Sequence, residues 1–357
     1  MYLKNKKIYF YQHGHLRPRQ INRIKQISKC NETNIEQFKN KKGDSVFKKQ
    51  NFFKKIILFF LPIINLGILK NKNALIYSFG KIILNRNYII EIDNPYILTF
   101  YKLSSFKIYK KLICYLLLRK NCLEIRCISE ACKKNLINEL GDNISSKTKV
   151  IYPYIESQKE IKSINKKEIK FIFIGSQFYL KGGNYVIQAF EELQKVKKNI
   201  SLTIISKVPK EFIKKYKNIN IINKEFNNEK LIKDILPKFD ILIHTSFCES
   251  FGMIIYESIV NNLAIICNDI YAAKEMVRNN YNGFLLKPFI SNWDNLKPSY
   301  YYNHIRDLEN EIKNNLNKTY MKNLQNKILQ ISEFDRLNEF KKNSKKISKK
   351  FKSVSLK

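Results

Sequence analysis

The sequence predicts an α/β protein in which parallel sheets are flanked by helices. Residues 240–268 read DILIHTSFCESFGMIIYESIVNNLAIICN and contain an apolar strand, a short loop, an apolar-faced helix and a second apolar strand. This order within about thirty residues is the βαβ unit of a parallel sheet. A second strand, loop and helix pattern occupies residues 171–193. With 357 residues, the chain is long enough for two domains that each bury a core.

The first part of the chain contains the strands of one predicted domain. Residues 6–12 form the first strand, and the loop after it reads His13-Gly14-His15. A glycine at this place lets a ligand approach the backbone closely. Asp93 directly follows another predicted strand. The remaining predictions are strands at 74–78, 88–92 and 149–155 and a strand followed by an amphipathic helix at 125–140.

The second part repeats the pattern and ends in helices. Strands are predicted at 170–174, 200–205, 219–222, 241–243 and 263–266, with a helix at 185–195. A helical pattern runs from about 307 to 340. The Lys- and Ser-rich residues 341–357 are expected to be disordered, either as a tether to an anionic membrane or as a solvated tail.

Two carboxylates flank the start of the central helix. Glu249 lies at the strand-to-helix corner, and Glu257 lies eight residues later. A rise of about 1.5 Å per residue separates their backbones by roughly 12 Å, more than the roughly 5–9.5 Å between the carboxyls of a glycoside hydrolase. The pair is therefore interpreted as two anchors for an elongated ligand. The alternative is that Glu249 caps the helix and Glu257 is solvated.

An anion site is predicted between these carboxylates. The backbone amides of Ser250, Phe251, Gly252 and Met253 begin the helix, where the helix dipole favours an anion such as a diphosphate. A second strand-to-helix loop carries Lys181, whose ammonium group is a point charge suited to the same ligand. A sugar, a diphosphate and a ribose in a row would fit this arrangement.

These two segments resemble a known family. ESFGMIIYE, at 249–257, resembles the E-x7-E motif of retaining glycosyltransferases with the GT-B fold, in particular glycosyltransferase family 4. FIFIGSQFYLKGGNYVIQAFEEL, at 171–193, resembles the opening of that family's donor domain, in the same order and spacing. The resemblance implies two Rossmann-like domains that face each other across a cleft. The implied parts are an acceptor domain at 1–155, a linker at 156–168, a nucleotide-sugar domain at 169–310, helices crossing back at 311–340 and a basic tail at 341–357.

The resemblance also implies roles for the donor-site residues. Glu249 would hold hydroxyls of the transferred sugar, and Glu257 would accept hydrogen bonds from the ribose. Lys181 and the helix start from Phe251 to Met253 would stabilise the departing diphosphate.

Acceptor-side roles are implied for the first domain. His13, Gly14 and His15 match the acceptor-facing loop, although the usual double glycine is absent and exposed loop histidines are the alternative. Asp93 stands where the family often has a residue facing the transferred sugar, and an ordinary turn residue is the alternative.

The sequence departs from the family at two places in the donor domain. Gly175 is followed by Ser176, where the family has an arginine that neutralises the diphosphate. Tyr271 and Ala272 replace two glycines of a later segment in which Glu275 matches. The first difference removes one permanent charge from the leaving-group site, and the second hinders close approach of the donor to the backbone.

Composition restricts the partners and the compartment. There are 66 Lys and Arg against 30 Asp and Glu, a formal charge of +36, which favours polyanionic partners. The absence of RNP, zinc-finger and basic-zipper patterns favours an anionic membrane surface over nucleic acid. Seven cysteines without a CxxC pair and no signal-peptide pattern predict reduced thiols and a cytoplasmic location.

The most apolar segment of the chain is residues 52–69, FFKKIILFFLPIINLGIL. Its uninterrupted apolar part is shorter than the about 20 residues needed to span a bilayer. It is predicted to be either a buried helix and turn or an interfacial segment on a membrane.

The predicted function is that of a retaining glycosyltransferase, which moves a hexose from a nucleotide sugar to a hydroxyl of a lipid-linked or polysaccharide acceptor in cell-surface glycan synthesis. No cofactor or metal is expected, since no DxD sequence is present and Lys181 supplies positive charge. The alternative is a catalytically degenerate scaffold that binds anionic membrane or nucleic acid. A phosphorylase or epimerase has no supporting motif.

Overall fold

The computed structural model describes residues 8–11, 17–28, 64–68, 75–155, 168–216 and 218–355. The chain divides into two compact units, Met1–Tyr154 and Ile155–Leu356. Each unit contains a parallel sheet flanked by helices, as the sequence predicts.

The first unit contains a five-stranded parallel sheet and a small two-stranded one. In chain order the strands are β1 (Ile8–Tyr11), β2 (Leu66–Gly67), β3 (Leu75–Phe79), β4 (Ile82–Ile83), β5 (Tyr88–Ile92), β6 (Cys122–Cys127) and β7 (Thr148–Val150). The helices are α1 (Pro18–Ser28), α2 (Leu103–Leu118) and α3 (Glu130–Leu140). The larger sheet has the order β1-β3-β5-β6-β7, so its described strands follow one another in chain order.

The second unit contains a six-stranded parallel sheet and a two-stranded antiparallel one. Its strands are β8 (Ile169–Gly175), β9 (Ile200–Ser206), β10 (Asn220–Ile222), β11 (Ile241–His244), β12 (Ala264–Asn268), β13 (Gly283–Leu286), β14 (Trp293–Asp294) and β15 (Lys297–Pro298). Its helices are α4 (Gly183–Val196), α5 (Lys210–Lys215), α6 (Asn228–Lys230), α7 (Met253–Val260), α8 (Ala273–Met276), α9 (Ile305–Asn314), α10 (Lys318–Ile331) and α11 (Phe334–Ser355).

The strand order of the six-stranded sheet reverses once. The order is β10-β9-β8-β11-β12-β13, so the chain first adds strands on one side of β8 and then returns to add β11 on the other. Such a reversal leaves a crevice beyond the carboxyl ends of the two central strands, where ligands of doubly wound sheets bind. Strands β11 and β12 are buried throughout, which explains their uninterrupted apolar sequences.

The C-terminal residues are helical, so the expected disorder from residue 341 is wrong. Helix α11 continues to Ser355 and contacts α7 in the same unit. Ile347 and Phe351 are buried one turn apart, and Phe351 packs edge-on against Tyr256 of α7 at 5.3 Å between ring centroids. The expectation failed because the many lysines conceal this narrow buried face.

Some sequence predictions fall outside the described residues. These are the loop His13-Gly14-His15, residues 52–63 and 69 of the apolar segment, and residues 156–167 of the predicted linker. Within the described part of the chain, no helix is both long enough and apolar enough to cross a membrane.

Candidate functional site

The crevice between β8 and β11 carries two of the charged side chains predicted for the donor site. Gly175 ends β8 and His244 ends β11, and the loops that follow them hold Lys181 and Glu249. The structure brings these two side chains together, with Lys181 Nζ 3.0 Å from Glu249 Oε2. The strand reversal thus joins residues that are 68 positions apart.

Lys181 is held by three oxygen acceptors. Its ammonium donates to Ser246 Oγ at 3.2 Å, to the Cys248 carbonyl at 2.8 Å and to Glu249 Oε2. The side chain lies over Gly175, where an added Cβ would come within 2.8 Å of the Lys181 Cβ and Cγ atoms. The glycine at the end of β8 is therefore required for the path of this lysine.

Glu249 receives hydrogen bonds on both carboxylate oxygens. Oε1 accepts from its neighbour's amide, Ser250 N, at 3.1 Å, while Oε2 lies 3.3 Å from His244 Nε2 as well as near Lys181. Burial by itself would raise the pKa of Glu249, but the Lys181 charge and the bonds from His244 and Lys181 hold that pKa well below its ordinary value. The carboxylate is therefore ionised, and one quarter of its side chain remains exposed.

His244 was missed by the sequence analysis. Its ring is buried, and burial lowers its pKa although Glu249 opposes this effect. The ring is therefore neutral at pH 7, and Nε2 must carry the proton to donate to Glu249. Nδ1 is buried without a hydrogen-bond partner among the described residues. The available signal was a polar residue at the end of an otherwise apolar strand, five positions before Glu249.

A pocket of about 240 Å³ opens at the carboxyl ends of β8, β9 and β10. It is lined by Ile174, Gly175, Ser176, Ile205, Ser206, Lys207, Asn223, Lys224, Glu225, Phe226 and Leu231. Ser206 was not predicted. Its hydroxyl is buried and has no hydrogen-bond partner within the described ranges, so a ligand in the pocket could supply one. Gly175 and Ser176, both predicted donor residues, belong to this lining.

Glu257 is buried inside α7 and not solvated. Burial raises its pKa to about 7, and a hydrogen bond from the Asn228 side chain opposes the rise. Asn228 begins α6, and Leu231, three residues later, lines the pocket. The carboxyl group therefore lies beside the same short segment that forms one wall of the pocket.

The helix start between the two carboxylates differs in detail from the prediction. Helix α7 begins at Met253, and Gly252 before it has φ of +78°, a left-handed conformation that favours glycine. The Ser250 amide donates to Glu249 and is not available to an anion in this arrangement. The phenyl ring of Phe251 is buried against Tyr256 at 6.3 Å between centroids. The backbone amides of Phe251, Gly252 and Met253 stay the predicted diphosphate donors.

In the segment that leads to Glu275, Tyr271 has a backbone conformation that favours glycine. Tyr271 has φ of +47°, and its ring stacks on Trp293 at 4.1 Å between centroids. The stack provides the contacts that offset the unfavourable backbone conformation. Glu275 itself is half-buried in α8. Its predicted contact with the donor stays a prediction.

Asp93 lies in the first unit, at the end of β5. Its carboxylate accepts from Tyr101 Oη at 3.1–3.2 Å and from the amide of Asn94 at 3.0 Å. Phe100 and Tyr101 both have positive φ, 51° and 64°, so the turn that brings this hydroxyl to Asp93 is strained. These contacts fit the alternative in which Asp93 is an ordinary turn residue. They also hold the Tyr101 hydroxyl and the Asp93 carboxylate next to each other.

Comparison with known proteins relates this site to one enzyme class. Residues 155–300 match the family described as Glycosyl transferases group 1. The match covers the second unit from its start through β15 and includes Lys181, Glu249 and Glu257. A comparison with curated proteins finds no match.

Solved structures show the fold. The chain is similar to Anabaena Alr3699/HepE in complex with UDP, with a TM-score of 0.59 and 14% identity, over 98% of this chain and 97% of that chain. It is similar to S. aureus TarM, with a TM-score of 0.52 and 13% identity, over 80% and 53% of the two chains. It is also similar to the pneumococcal O-GlcNAc transferase GtfA in complex with UDP and GlcNAc, with a TM-score of 0.51 and 15% identity, over 80% of this chain and 55% of that chain.

These similarities confirm the predicted fold class, an α/β protein of the GT-B type with two Rossmann-like domains. The chain spans about half the length of TarM and GtfA and nearly all of Alr3699/HepE. At these identities the similarity concerns the fold alone.

Proposed function

We propose that this protein is a retaining glycosyltransferase that transfers a hexose from a nucleotide sugar to a hydroxyl acceptor. The observation that carries the proposal is the contact between Lys181 and Glu249, 3.0 Å apart at the reversal point of the sheet, with a pocket at the neighbouring ends of β8, β9 and β10. The family match over this unit and the GT-B fold support the same reaction class.

In the proposed complex the donor extends from the pocket to Glu249. The base occupies the pocket, where Phe226 contributes an aromatic ring and the Ser206 hydroxyl has no partner in the described part of the chain. The volume of about 240 Å³ is below the roughly 300–1,000 Å³ typical of drug-sized ligands, which suits one part of a nucleotide sugar. The ribose then lies at Glu257, next to the pocket wall.

The diphosphate lies at Lys181 and the start of α7. The ammonium group now donates to two neutral oxygens besides Glu249, and a diphosphate oxygen would replace one of them. As the bond between the sugar and the phosphate breaks, negative charge develops on the leaving group, and a fixed cation stabilises it. Lys181 supplies this charge, so we propose a reaction that needs no metal ion.

Glu249 is proposed to bind hydroxyls of the transferred sugar. Lys181, His244 and the Ser250 amide hold its carboxylate ionised and oriented, while a quarter of the side chain remains accessible. Asp93 and the loop His13-Gly14-His15 are proposed to contribute on the acceptor side, and Glu275 to bind the donor.

The proposed acceptor is a lipid-linked or polysaccharide intermediate of cell-surface glycan synthesis. A formal charge of +36 favours such anionic lipid-linked diphosphates and an anionic membrane surface over neutral partners. We therefore propose a cytoplasmic protein that associates peripherally with the membrane.

Two measurements test the donor assignment. UDP-, GDP- and ADP-sugars should be compared in a thermal-shift assay, because a ligand at about 100 times its Kd stabilises the folded state by about 2.7 kcal/mol. Lys181→Met should lower turnover more than tenfold, a loss above about 1.4 kcal/mol in transition-state stabilisation. Lys274→Met, an exposed lysine on α8, is the control and should keep normal turnover. Unchanged turnover in Lys181→Met would refute the assignment.

The second candidate is a degenerate transferase that binds polyanions without catalysis. The observation in its favour is Ser176, an exposed neutral residue in the pocket lining where the family resemblance places arginine. Lys207 and Lys224 line the same pocket, so other cations are present there. Salt-sensitive binding of RNA without turnover of any nucleotide sugar would favour this candidate.

A further inference from the structure

Helix α2 of the first unit exposes a line of large apolar side chains. Ile108 is 65% exposed, Leu112 42% and Tyr115 64%. Spacings of four and three residues place them on one side of the helix, along roughly 10 Å of its length. Three such side chains in a row form a continuous apolar surface, which scattered single residues do not.

This surface is not part of the core. The inner side of α2 already buries Phe106, Ile113, Leu116 and Leu117. A helix that is apolar on its solvent side as well as its core side indicates a second apolar environment. The helix would be held in place without Ile108, Leu112 and Tyr115.

The charged residues of α2 and of the segments that flank it in the chain all have one sign, and the nearby carboxylate of Glu139 on α3 pairs with Lys110, two residues after Ile108 and therefore on another side of the helix. Residues 94–123 contain six lysines and arginines and no aspartate or glutamate. Lys107 and Lys111 are exposed beside the apolar line, and Arg119 and Lys120 are exposed just beyond its C-terminal end. Apolar side chains between cations are typical of helices that lie in the interface of an anionic bilayer.

We propose that the outer face of α2 is the membrane-binding surface of this protein. Ile108, Leu112 and Tyr115 enter the boundary between headgroups and acyl chains, and the flanking lysines bind lipid phosphates. A second copy of this chain does not fit the surface, because two molecules of charge +36 repel each other. The inference builds on the membrane partner proposed above and names the surface responsible.

The first test is co-sedimentation of the full chain with vesicles. Wild type should bind vesicles of phosphatidylglycerol and phosphatidylcholine at least tenfold more tightly than vesicles of phosphatidylcholine alone. The variant Ile108→Ser/Leu112→Ser/Tyr115→Ser should lose at least tenfold in affinity. Val196→Ser/Ile213→Ser, which removes two exposed apolar side chains of the second unit, should bind as wild type does. Equal binding by the triple variant overturns the proposal.

The second test separates α2 from the other basic helix. Lys107→Glu/Lys111→Glu should reduce binding to the anionic vesicles by tenfold or more. Lys342→Glu/Lys346→Glu makes the same charge change on the exposed side of α11 and should have a much smaller effect. If only the α11 variant loses binding, the C-terminal helix is the contact and the proposal is wrong.

The third test reports insertion directly. Tyr115→Trp places a second tryptophan on the exposed line, while the natural Trp293 is buried in the other unit. Its emission should shift to the blue on anionic vesicles and be quenched by brominated acyl chains. Unchanged emission, or a dimer abolished by the triple variant, overturns the proposal. None of these readouts requires turnover, so their failure is distinct from failure of the transferase assignment.

Discussion

A cluster of a carboxylate and cations in the first unit can be compared with one in the second, and the two differ in access to solvent. In the first unit, Glu91 Oε2 accepts from Arg23 Nε at 2.9 Å and from Tyr77 Oη at 2.7 Å, and both charged side chains are at most 2% exposed. In the second, Lys181 is 16% exposed and Glu249 25%. The first cluster is closed, and the second is partly exposed and lies against Gly175, which lines the pocket.

The pKa values do not distinguish the two clusters. Burial opposes ionisation of Glu91 as it does for Glu249, and Arg23 and Arg19 nevertheless hold the pKa of Glu91 below its ordinary value. Both carboxylates are therefore ionised by neighbouring cations. The remaining exposure and the adjacent pocket, not the direction of the pKa shift, support the binding role proposed for Lys181 and Glu249.

The largest effect is expected from a substitution that breaks the closed Arg23–Glu91 cluster. Arg23 also donates to the carbonyls of Ile151 and Tyr152 at 3.1 and 2.8 Å, so Arg23→Met leaves Glu91 buried without its main partner. We expect the free energy of unfolding to fall by about 3–5 kcal/mol. Urea unfolding followed by far-UV circular dichroism measures it, with Lys25→Met on the exposed side of α1 as control. Equal losses in both variants would show that the cluster is not the cause.

The second prediction tests whether burial of an ion pair determines the stability lost when the pair is broken, whichever unit contains it. Lys341 Nζ lies 2.7 Å from Asp240 Oδ1 in the second unit, and the two side chains are 7% and 12% exposed. Asp240 also accepts from the Lys170 amide at 3.1 Å, so it keeps one partner. Lys341→Met should therefore cost about 3 kcal/mol, toward the lower end for a broken buried pair.

Fluorescence of Trp293, the only tryptophan, reports this unfolding. The control is Lys342→Met, an exposed neighbour on α11 that should shift unfolding by less than about 0.5 kcal/mol. A disordered tail, as the composition suggested, predicts no effect for either variant.

The sequence predicted the elements better than their contacts. The βαβ segments were recognised from short-range apolar patterns, and the strand at 88–92 matches β5. Lys181 and Glu249 were identified only because a motif marks each of them. The Arg23–Glu91 pair has the same separation of 68 residues and no motif, so nothing in local periodicity predicts it. His244 and Ser206 were missed for a related reason. Packing of the fold pairs His244 Nε2 with Glu249 and leaves the Ser206 hydroxyl without a partner among the described residues, and local sequence predicts neither.

Glu257, the subject of the third prediction, is a buried carboxyl group that contacts no cation among the residues that the structure describes. Its pKa is raised to about 7, so the folded state binds a proton that the unfolded state has released above about pH 4.5. The resulting stability is fully present below about pH 4.5 and is lost as pH rises through 7. A shift of this size corresponds to at most about 3 kcal/mol. Glu257→Gln should remove this pH dependence, measured by urea unfolding between pH 4.5 and 8.

Nucleotide binding offers a second readout of the same group. Hydroxyls of a ribose would donate to the ionised carboxylate and lower its pKa. Titration calorimetry at pH 6 in buffers of different ionisation enthalpy should then show release of up to about one proton per UDP bound. No release in wild type would contradict the placement of the ribose at Glu257.

The smallest effect is expected from substitution of His244, which tests whether this residue orients the Glu249 carboxylate. Because neutral His244 donates from Nε2 to Glu249, His244→Phe should keep the buried volume and remove one hydrogen bond to a charged group. A loss of about 1.5 kcal/mol corresponds to roughly tenfold in kcat/KM. His244→Gln, whose side-chain amide can still donate, should recover most of this loss. If both variants fall equally, His244 acts through packing alone, and if His244→Phe keeps full activity, Lys181 and the Ser250 amide suffice to orient Glu249.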